Sequence, residues 1–415
     1  MVERLRKVTG GAFGGRNFLS LGTGQVVMGL AQWGIISVLA ILGGAGDVGL
    51  LAFALAVVTP VYELVKFKLR DVLATDIDGQ WAVADYLRLT AIMSVLGFLV
   101  SVVIGWLLGG ITEAAVVAGV AVSRGYESMS HISYGYQQKL DRMTPIGRSL
   151  FWRGLVSVAL LAASYALTGS VVVAGVALAV ANAAIYHLYD RRFLPADSLG
   201  DRLSRHGRGV RSLARSSFPL GIYSSLHALT DSVPRLVVGL RLGLAPLGIF
   251  AAFGYVVSGS SYVIRALSQA ASSRMASVVA SGQRSRLIER VGRLIAISFG
   301  AGAALMVGAY VLGEPFLRFA FGDEFAAFSF EFFLISIYAL LLFVQSPLNL
   351  VLISARKFNA QLWIEASTTI TATIGAFALV PGLEVRGAVY ALILAGSVRL
   401  VLSAVLVGKL ISRLE

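Results

Sequence analysis

Long apolar stretches recur along the whole chain of 415 residues. A helix needs about 20 apolar residues to cross the hydrocarbon core of a bilayer. Only 14% of the residues are charged, against roughly 25% in soluble domains. The sequence therefore predicts an all-α polytopic membrane protein with twelve transmembrane helices. The approximate spans are 18–42, 49–68, 87–109, 112–137, 147–167, 170–189, 217–240, 247–270, 292–312, 327–353, 360–381 and 387–408.

The segments between these spans alternate in charge. Of the 35 Lys and Arg residues, 27 lie on the side of the N-terminus, and three lie on the other side at Arg241, Arg318 and Arg386. Cytoplasmic loops of membrane proteins carry the excess of Lys and Arg. We therefore predict cytoplasmic N- and C-termini and location in the cytoplasmic (inner) membrane. The basic N-terminus has no cleavable signal, and its first apolar run is long enough to remain as a span.

The chain divides into two halves that resemble each other. We expect an N-terminal lobe at 1–190 with spans 1–6, a cytoplasmic basic linker at 191–216 and a C-terminal lobe at 217–415 with spans 7–12. A shift of 199 residues without a gap places Gly44 on Gly243, Gly49 on Gly248 and Lys66 on Arg265. Six spans are an even number, so the halves have the same orientation, as in transporters built from parallel repeats. A central cavity between the lobes is the expected ligand site.

Span 7 carries ionisable groups where an apolar helix should have none. Asp231 and Arg235 are four residues apart, so they share a face and can pair. Two interpretations stay open, a structural ion pair beside the kink that Pro234 introduces, or an Arg235 that contacts an anionic headgroup while Asp231 holds it. His227 lies on the same side, where a hydrogen-bonded interior role is more common than proton transfer.

Span 4 has a polar stripe. Its spacings of three and four residues place the side chains on one helical face, which must contact protein or water rather than lipid. It is either a hydrogen-bonded seam with a local Arg124–Glu127 pair or one wall of a hydrophilic conduit suited to sugar hydroxyls. The stripe consists of Arg124, Glu127, His131, Tyr134 and Gln138.

Other charges are spread over the remaining spans. Lys66 and Arg153 lie near cytoplasmic ends, where long side chains can reach the headgroups, whereas the basic repeat partner of Arg265 favours a cavity position for it. Pro347, in a polar interruption of span 10, is a candidate hinge like Pro234. Glu365 and Arg399 can pair across helices or line a cavity.

Several functional classes are disfavoured by missing motifs. The chain has no Cys, no GxxxxGK[ST] loop and no exposed HExxH motif. We therefore predict no cofactor, no metal site and no built-in ATPase, and an enzyme is a weak interpretation. The net charge of +13 follows the loops between spans rather than a nucleic-acid-binding face. A transporter driven by H⁺, Na⁺ or another gradient is favoured.

Three stretches resemble bacterial polysaccharide and O-antigen flippases of the multidrug/oligosaccharidyl-lipid/polysaccharide exporter superfamily. They are PVYELVKFKLRDVLATD after span 2, ESMSHISYGYQQKLDRMTPIGRSLFWRG in spans 4 and 5, and SFPLGIYSSLHALTDSVPRLVVGLRLGLAPLGIFAAFGYV in spans 7 and 8. The short motif FGDEFAAF fits as well. The resemblance covers roughly residues 17–410.

This resemblance implies two six-helix lobes around a central cavity and alternating access. The implied substrate is an oligosaccharide linked to polyprenyl pyrophosphate, moved to the outer leaflet, with membrane lipid and glycan polymerase or assembly proteins as further partners. Multidrug or cation antiport is the alternative within the superfamily, but it would favour acidic cavity groups; a membrane glycan polymerase is less favoured. The expected headgroup ligands are basic side chains, first Arg235, Arg265 and Lys66, then Arg124 and Arg399.

Overall fold

The computed structural model describes residues 15–76, 78–195, 207–281 and 283–413. Nearly all of these residues are helical. A short 3₁₀ helix at Asp190–Phe193 follows the sixth helix. The helices in chain order are α1 (Gly15–Val65), α2 (Leu69–Thr75), α3 (Val83–Gly109), α4 (Ile111–Lys139), α5 (Met143–Thr168), α6 (Val171–Leu188), α7 (Gly207–Leu242), α8 (Leu244–Ser281), α9 (Arg284–Phe321), α10 (Asp323–Ala326), α11 (Ser329–Ser354) and α12 (Phe358–Ile411).

Two helices are too long for one membrane crossing. The 51 residues of α1 and the 54 of α12 would each extend about 75–80 Å, against about 30 Å of hydrocarbon. Each is interrupted by one residue with non-helical backbone, Gly44 (φ 79°, ψ −175°) in α1 and Glu384 (φ 52°, ψ −132°) in α12. Each is therefore long enough to supply two crossing segments, the number that the sequence predicts for it.

The surface of the molecule is that of a membrane protein. Within the described ranges, seven helical segments are long and apolar enough to cross a bilayer. One face of α3 exposes a row of large apolar side chains, among them Leu99, Val103 and Leu107 at 54%, 53% and 68%. Exposed apolar area of this extent suits lipid contact. The predicted all-α polytopic class is confirmed, whereas the number of twelve crossings stays a prediction.

The chain forms two compact units. The first contains the described residues up to Val38 together with Phe53–Ala228, and the second contains Leu39–Ala52 together with Leu229 onward. In the first unit, a cluster around Leu73, Tyr86 and Leu213 joins α2, α3 and the start of α7. In the second, Leu287, Val351 and Val407 join α9, α11 and α12. Helices α1 and α7 thus contribute residues to both units.

The internal repeat has a structural counterpart at the tips of two hairpins. Gly44 and Gly243, which the shift of 199 residues superposes, both have positive φ, at 79° and 96°. Glycine adopts this backbone without the steric penalty of a Cβ atom. The chain reverses at both positions, between the two segments of α1 and between α7 and α8. The glycine shared by the two halves thus has the same backbone role in both.

Two predicted connections are largely helical. The predicted spans 292–312 and 327–353 leave a connection at 313–326, but α9 continues through Pro315 to Phe321 and ends at Gly322 (φ 99°). The i,i+4 pair of Glu314 with Arg318, at 2.9 Å, stabilises this last part of the helix. The segment PGLEVRG is likewise helical except for the break at Glu384. Proline is tolerated in membrane helices, so it was a poor marker of their ends.

Candidate functional site

A cluster of charged side chains lies between α1 and α4 in the first unit. Glu127 Oε2 accepts a hydrogen bond from Arg124 Nη1 at 2.5 Å. Glu127 Oε1 lies 3.7 Å from both Lys66 Nζ and His131 Nε2. Lys66 Nζ also donates to Glu63 Oε1 at 3.4 Å. The polar stripe predicted on span 4 therefore meets the basic residue predicted at the end of span 2.

The cluster is neither sealed nor fully exposed. The side chains of Lys66 and Glu127 are 13% and 16% exposed, and those of Arg124 and His131 are 25% and 27%. Charges held inside membrane helices must be paired or hydrated. Partial exposure gives a bound anion access to these cations. We define this set, Glu63, Lys66, Arg124, Glu127 and His131, as the α1–α4 charge cluster.

The stripe continues from the cluster along α4 through Tyr134. The Tyr134 ring lies 5.6 Å from the His131 ring, and the guanidinium groups of Arg70 and Arg153 approach it at 5.5 Å and 5.8 Å. The Tyr134 hydroxyl shares a 2.7 Å hydrogen bond with that of Ser149. Two cations on one aromatic ring form cation–π contacts that fix Tyr134 in a buried position. This part of the stripe is a packed interior seam.

Arg153 is one of the largest fully buried side chains described, at 1% exposure. Its Nη2 donates to Asp190 Oδ2 at 3.0 Å. From α4, Ser133 Oγ donates to the Asp190 carbonyl and Gln137 Nε2 to the Phe193 carbonyl, both at 2.9 Å. Arg153 therefore occupies an interior position and does not reach the lipid headgroups as the sequence suggests. At the far end of the stripe, Gln138 is exposed and accepts from Arg70 Nη2 at 3.5 Å.

In the second unit, Asp231 has a partner that the sequence did not indicate. Tyr338 Oη of α11 donates to Asp231 Oδ1 at 2.8 Å. The Arg235 guanidinium lies over the Tyr255 ring at 5.9 Å and passes close to the backbone of Gly254. Among the described residues, no ion pair joins Asp231 to Arg235. The two side chains share a helix face, but each turns to a different neighbour.

Arg399 and Glu365 form a second buried ion pair. Arg399 Nη2 donates to Glu365 Oε2 at 2.7 Å, and both side chains are under 10% exposed. The pairing interpretation is therefore realised within α12. Pro234 and Pro347 lie inside the helices α7 and α11, and the side chain of His227 is exposed. The side chain of Arg265 lies outside the described residues.

The arrangement points to anion binding rather than metal chemistry. In the part of the chain that the structure describes, no group of three or more His, Asp or Glu side chains could hold a metal ion. The first unit instead places Lys66 and Arg124 within reach of one carboxylate. Lys and Arg are the side chains that bind phosphate oxygens. The α1–α4 charge cluster is therefore our candidate ligand site.

The fold is that of a membrane transporter. A multidrug resistance MATE family transporter of the MOP superfamily, solved in an inward-facing conformation, matches with a TM-score of 0.69 at 13% identity, covering 96% of this chain and 94% of that chain. A MOP superfamily transporter from Pyrococcus furiosus, described as having a binding pocket of reverse polarity, matches with a TM-score of 0.63 at 13% identity and 95% coverage of both chains.

Sequence comparison gives the family. The model of the polysaccharide biosynthesis protein family matches residues 15–278, which is more than half of the chain, so the chain belongs to this family. The capsular polysaccharide biosynthesis protein CapF of Staphylococcus aureus is 20% identical over 374 residues, covering 90% of this chain and 94% of that protein. The resemblance seen in the sequence is confirmed at the level of the polysaccharide biosynthesis family.

Proposed function

We propose that this protein flips an oligosaccharide linked to a polyprenyl pyrophosphate from the cytoplasmic to the outer leaflet of the cytoplasmic membrane. The observation that carries the proposal is the α1–α4 charge cluster, in which Lys66, directly after α1, and Arg124, within α4, are only 13% and 25% exposed in a polysaccharide biosynthesis family member. Cations held in such a place are costly unless they serve a ligand or a partner. A pyrophosphate is the anionic group that such a substrate would present.

The chemistry of the cluster suits this headgroup. Lys66 supplies a compact ammonium and Arg124 a planar guanidinium, and together they can contact several phosphate oxygens. The glycan would need hydrated, hydrogen-bonding surfaces, whereas the polyprenyl chain would stay in hydrocarbon. Arg235, over Tyr255 in the second unit, and Arg265 are two further cations that we propose for headgroup contact.

The remaining parts of the proposal concern energy and partners. Transport would proceed without covalent chemistry, by alternating access, and would draw on an ion or substrate gradient. The products would be consumed by glycan polymerase or assembly proteins on the outer face. The fold similarity to a multidrug resistance transporter fits both a lipid-linked oligosaccharide and an organic cation as substrate, so the fold does not distinguish between them. Within the cluster Lys66 and Arg124 are balanced by Glu63 and Glu127, so the family match, rather than net charge, favours an anionic lipid over an organic cation.

Reconstitution tests this function directly. Proteoliposomes carrying a fluorescent polyprenyl-pyrophosphate-linked oligosaccharide should show leaflet exchange above that of empty liposomes. The double variant Lys66→Gln/Arg124→Gln should lose at least about tenfold of the rate, because it removes two phosphate-binding cations. Arg293→Gln is the matched control, since Arg293 forms an exposed i,i+4 pair with Glu289, and it should keep the wild-type rate.

The outcomes separate the two candidate functions. Leaflet exchange equal to that of empty liposomes would reject the flippase. Uptake of a lipophilic organic cation by the same vesicles, with no exchange of the lipid-linked oligosaccharide, would instead establish a multidrug exporter. Equal exchange by the double variant and the wild type would retain the flippase but remove Lys66 and Arg124 from headgroup binding.

A further inference from the structure

Glu127 occupies the centre of the α1–α4 charge cluster. Its two oxygens contact three basic side chains, Arg124, Lys66 and His131, at 2.5, 3.7 and 3.7 Å. Arg124 and His131 come from α4, and Lys66 comes from the turn directly after α1. A carboxylate surrounded by cationic donors makes the same kind of contacts that a phosphate oxygen would make at that position.

The second carboxylate of the cluster is placed differently. Glu63 contacts Lys66 at 3.4 Å and is 35% exposed, about twice the exposure of Glu127 at 16%. Lys66 contacts both carboxylates, and Arg124 contacts Glu127. The more buried cation Arg153 is paired with Asp190 instead. Glu127 is thus the carboxylate that holds both candidate phosphate ligands, and Glu63 provides a comparison of equal charge.

We propose that Glu127 is an internal competitor for the headgroup, a carboxylate that holds Lys66 and Arg124 when the site is empty and must release them when a pyrophosphate binds. This inference rests on the proposed function. It assigns to Glu127 a role in setting affinity and release rather than in binding. The Glu127 carboxylate lowers the affinity for the headgroup. After transport it pairs again with Lys66 and Arg124 and so displaces the phosphate.

The proposal predicts opposite effects on binding and on transport. Glu127→Gln keeps the side-chain size but removes the competing charge, so the cations stay available to the ligand. Affinity for a pyrophosphate should rise about tenfold, which corresponds to about 1.4 kcal/mol, while flipping should slow because release is hindered. A residue needed only for folding would lower both quantities together.

Binding is measured on the purified full-length chain with farnesyl pyrophosphate, a short polyprenyl pyrophosphate, and flipping is measured in the proteoliposome assay. Glu63→Gln removes the same unit charge from the other side of Lys66, and it should change affinity by less than about threefold. Glu127→Asp keeps the competing charge and should bind as the wild type does. If Glu127→Gln does not fold, Glu127→Met removes the same charge and replaces it in the test.

Each result decides between the two proposals. Tighter binding and slower flipping for Glu127→Gln, but not for Glu63→Gln, support the competitor role. Unchanged or weaker binding by Glu127→Gln in a protein that flips lipid overturns that role and leaves the flippase intact. If Glu127→Gln binds more tightly but the wild-type protein flips no lipid, the flippase is rejected and Glu127 remains the competing anion. Absence of binding by both proteins overturns the competitor role together with the headgroup site.

Discussion

The ion pair of Arg153 and Asp190 shows how single residues set the architecture of the first unit. Arg153 comes from α5, and Asp190 begins the 3₁₀ helix after α6, with both side chains nearly inaccessible. A buried ion pair need not stabilise a protein relative to apolar residues, but removal of one partner leaves an uncompensated charge. The pair therefore fixes the end of α6 against α4 and α5, next to the candidate site.

We expect Asp190→Asn to destabilise the protein by about 3–5 kcal/mol, because it strands the buried Arg153 guanidinium without its carboxylate. Thermal unfolding of the purified protein in detergent measures this as a large fall in Tm. Arg153→Met should be similarly destabilising. The double variant should recover much of the loss, since neither charge remains. Glu289→Gln, at an exposed pair, should change stability by less than about 1 kcal/mol.

A double variant no more stable than the worse single variant would contradict this account of the pair.

The sequence predicted the Arg124–Glu127 ion pair but not the Arg153–Asp190 ion pair. Arg124 and Glu127 are three residues apart on one helix, so their pairing follows from helical geometry. Arg153 and Asp190 are 37 residues apart. Asp190 lies in a polar segment, where a carboxylate does not by itself indicate a buried partner. Contacts of Asp231 with Tyr338 were missed for the same reason.

At the scale of elements, two glycines allow a close helix crossing in the second unit. A Cβ atom at Gly49 would overlap the carbonyl of Leu244, and one at Gly248 would overlap the carbonyl of Ala45. The Gly248 position would also come within 2.8 Å of the Gly49 backbone nitrogen. Small residues permit such backbone approach in membrane proteins. The two glycines are equivalent by the internal repeat, so the repeat brings like against like at this crossing.

Gly49→Ala and Gly248→Ala should each destabilise the protein by about 1–3 kcal/mol, because the added methyl group forces two backbones apart. Gly46→Ala is the matched control, since a Cβ at Gly46 meets no atom within 4 Å. It should leave stability unchanged or raise it by up to about 1 kcal/mol, the helix preference of Ala over Gly. Thermal unfolding of the three variants under identical conditions is the measurement.

Equal unfolding temperatures for the Gly49, Gly248 and Gly46 variants would show that the crossing relaxes without cost.

The sequence predicts that Gly49 and Gly248 are equivalent and that a hairpin turns near Gly44. It did not predict where helices end, because glycine and proline mark loops in water more reliably than in a bilayer. Pro315 lies inside α9 although the predicted spans place it in a connection, and Pro381 lies inside α12 although span 11 is predicted to end there.

At the scale of the whole molecule, apolar length and charge distribution together carry most of the information. Composition and span length predicted the all-α membrane class because a bilayer accepts few other solutions. The family followed from patterns in spans 2, 4, 5, 7 and 8, and the match to residues 15–278 agrees with it. Substrate identity does not follow in this way. It depends on which cations contact the ligand. Such a site is formed by residues that are distant in sequence, such as Lys66 and Glu127.

The orientation in the membrane is the remaining prediction at this scale. Because the sequence has no cysteine, single cysteines can be introduced without first replacing native ones. Thr112→Cys lies in an exposed position in the first turn of α4, next to a cation-free connection, and Gln283→Cys lies in an exposed position of a basic connection. Because Lys and Arg are retained on the cytoplasmic side, a membrane-impermeant maleimide should label Thr112→Cys in intact cells. It should label Gln283→Cys only after permeabilisation. The reverse labelling pattern would place the basic loops outside, and the cytoplasmic termini and the direction of lipid transport proposed here would then both be wrong.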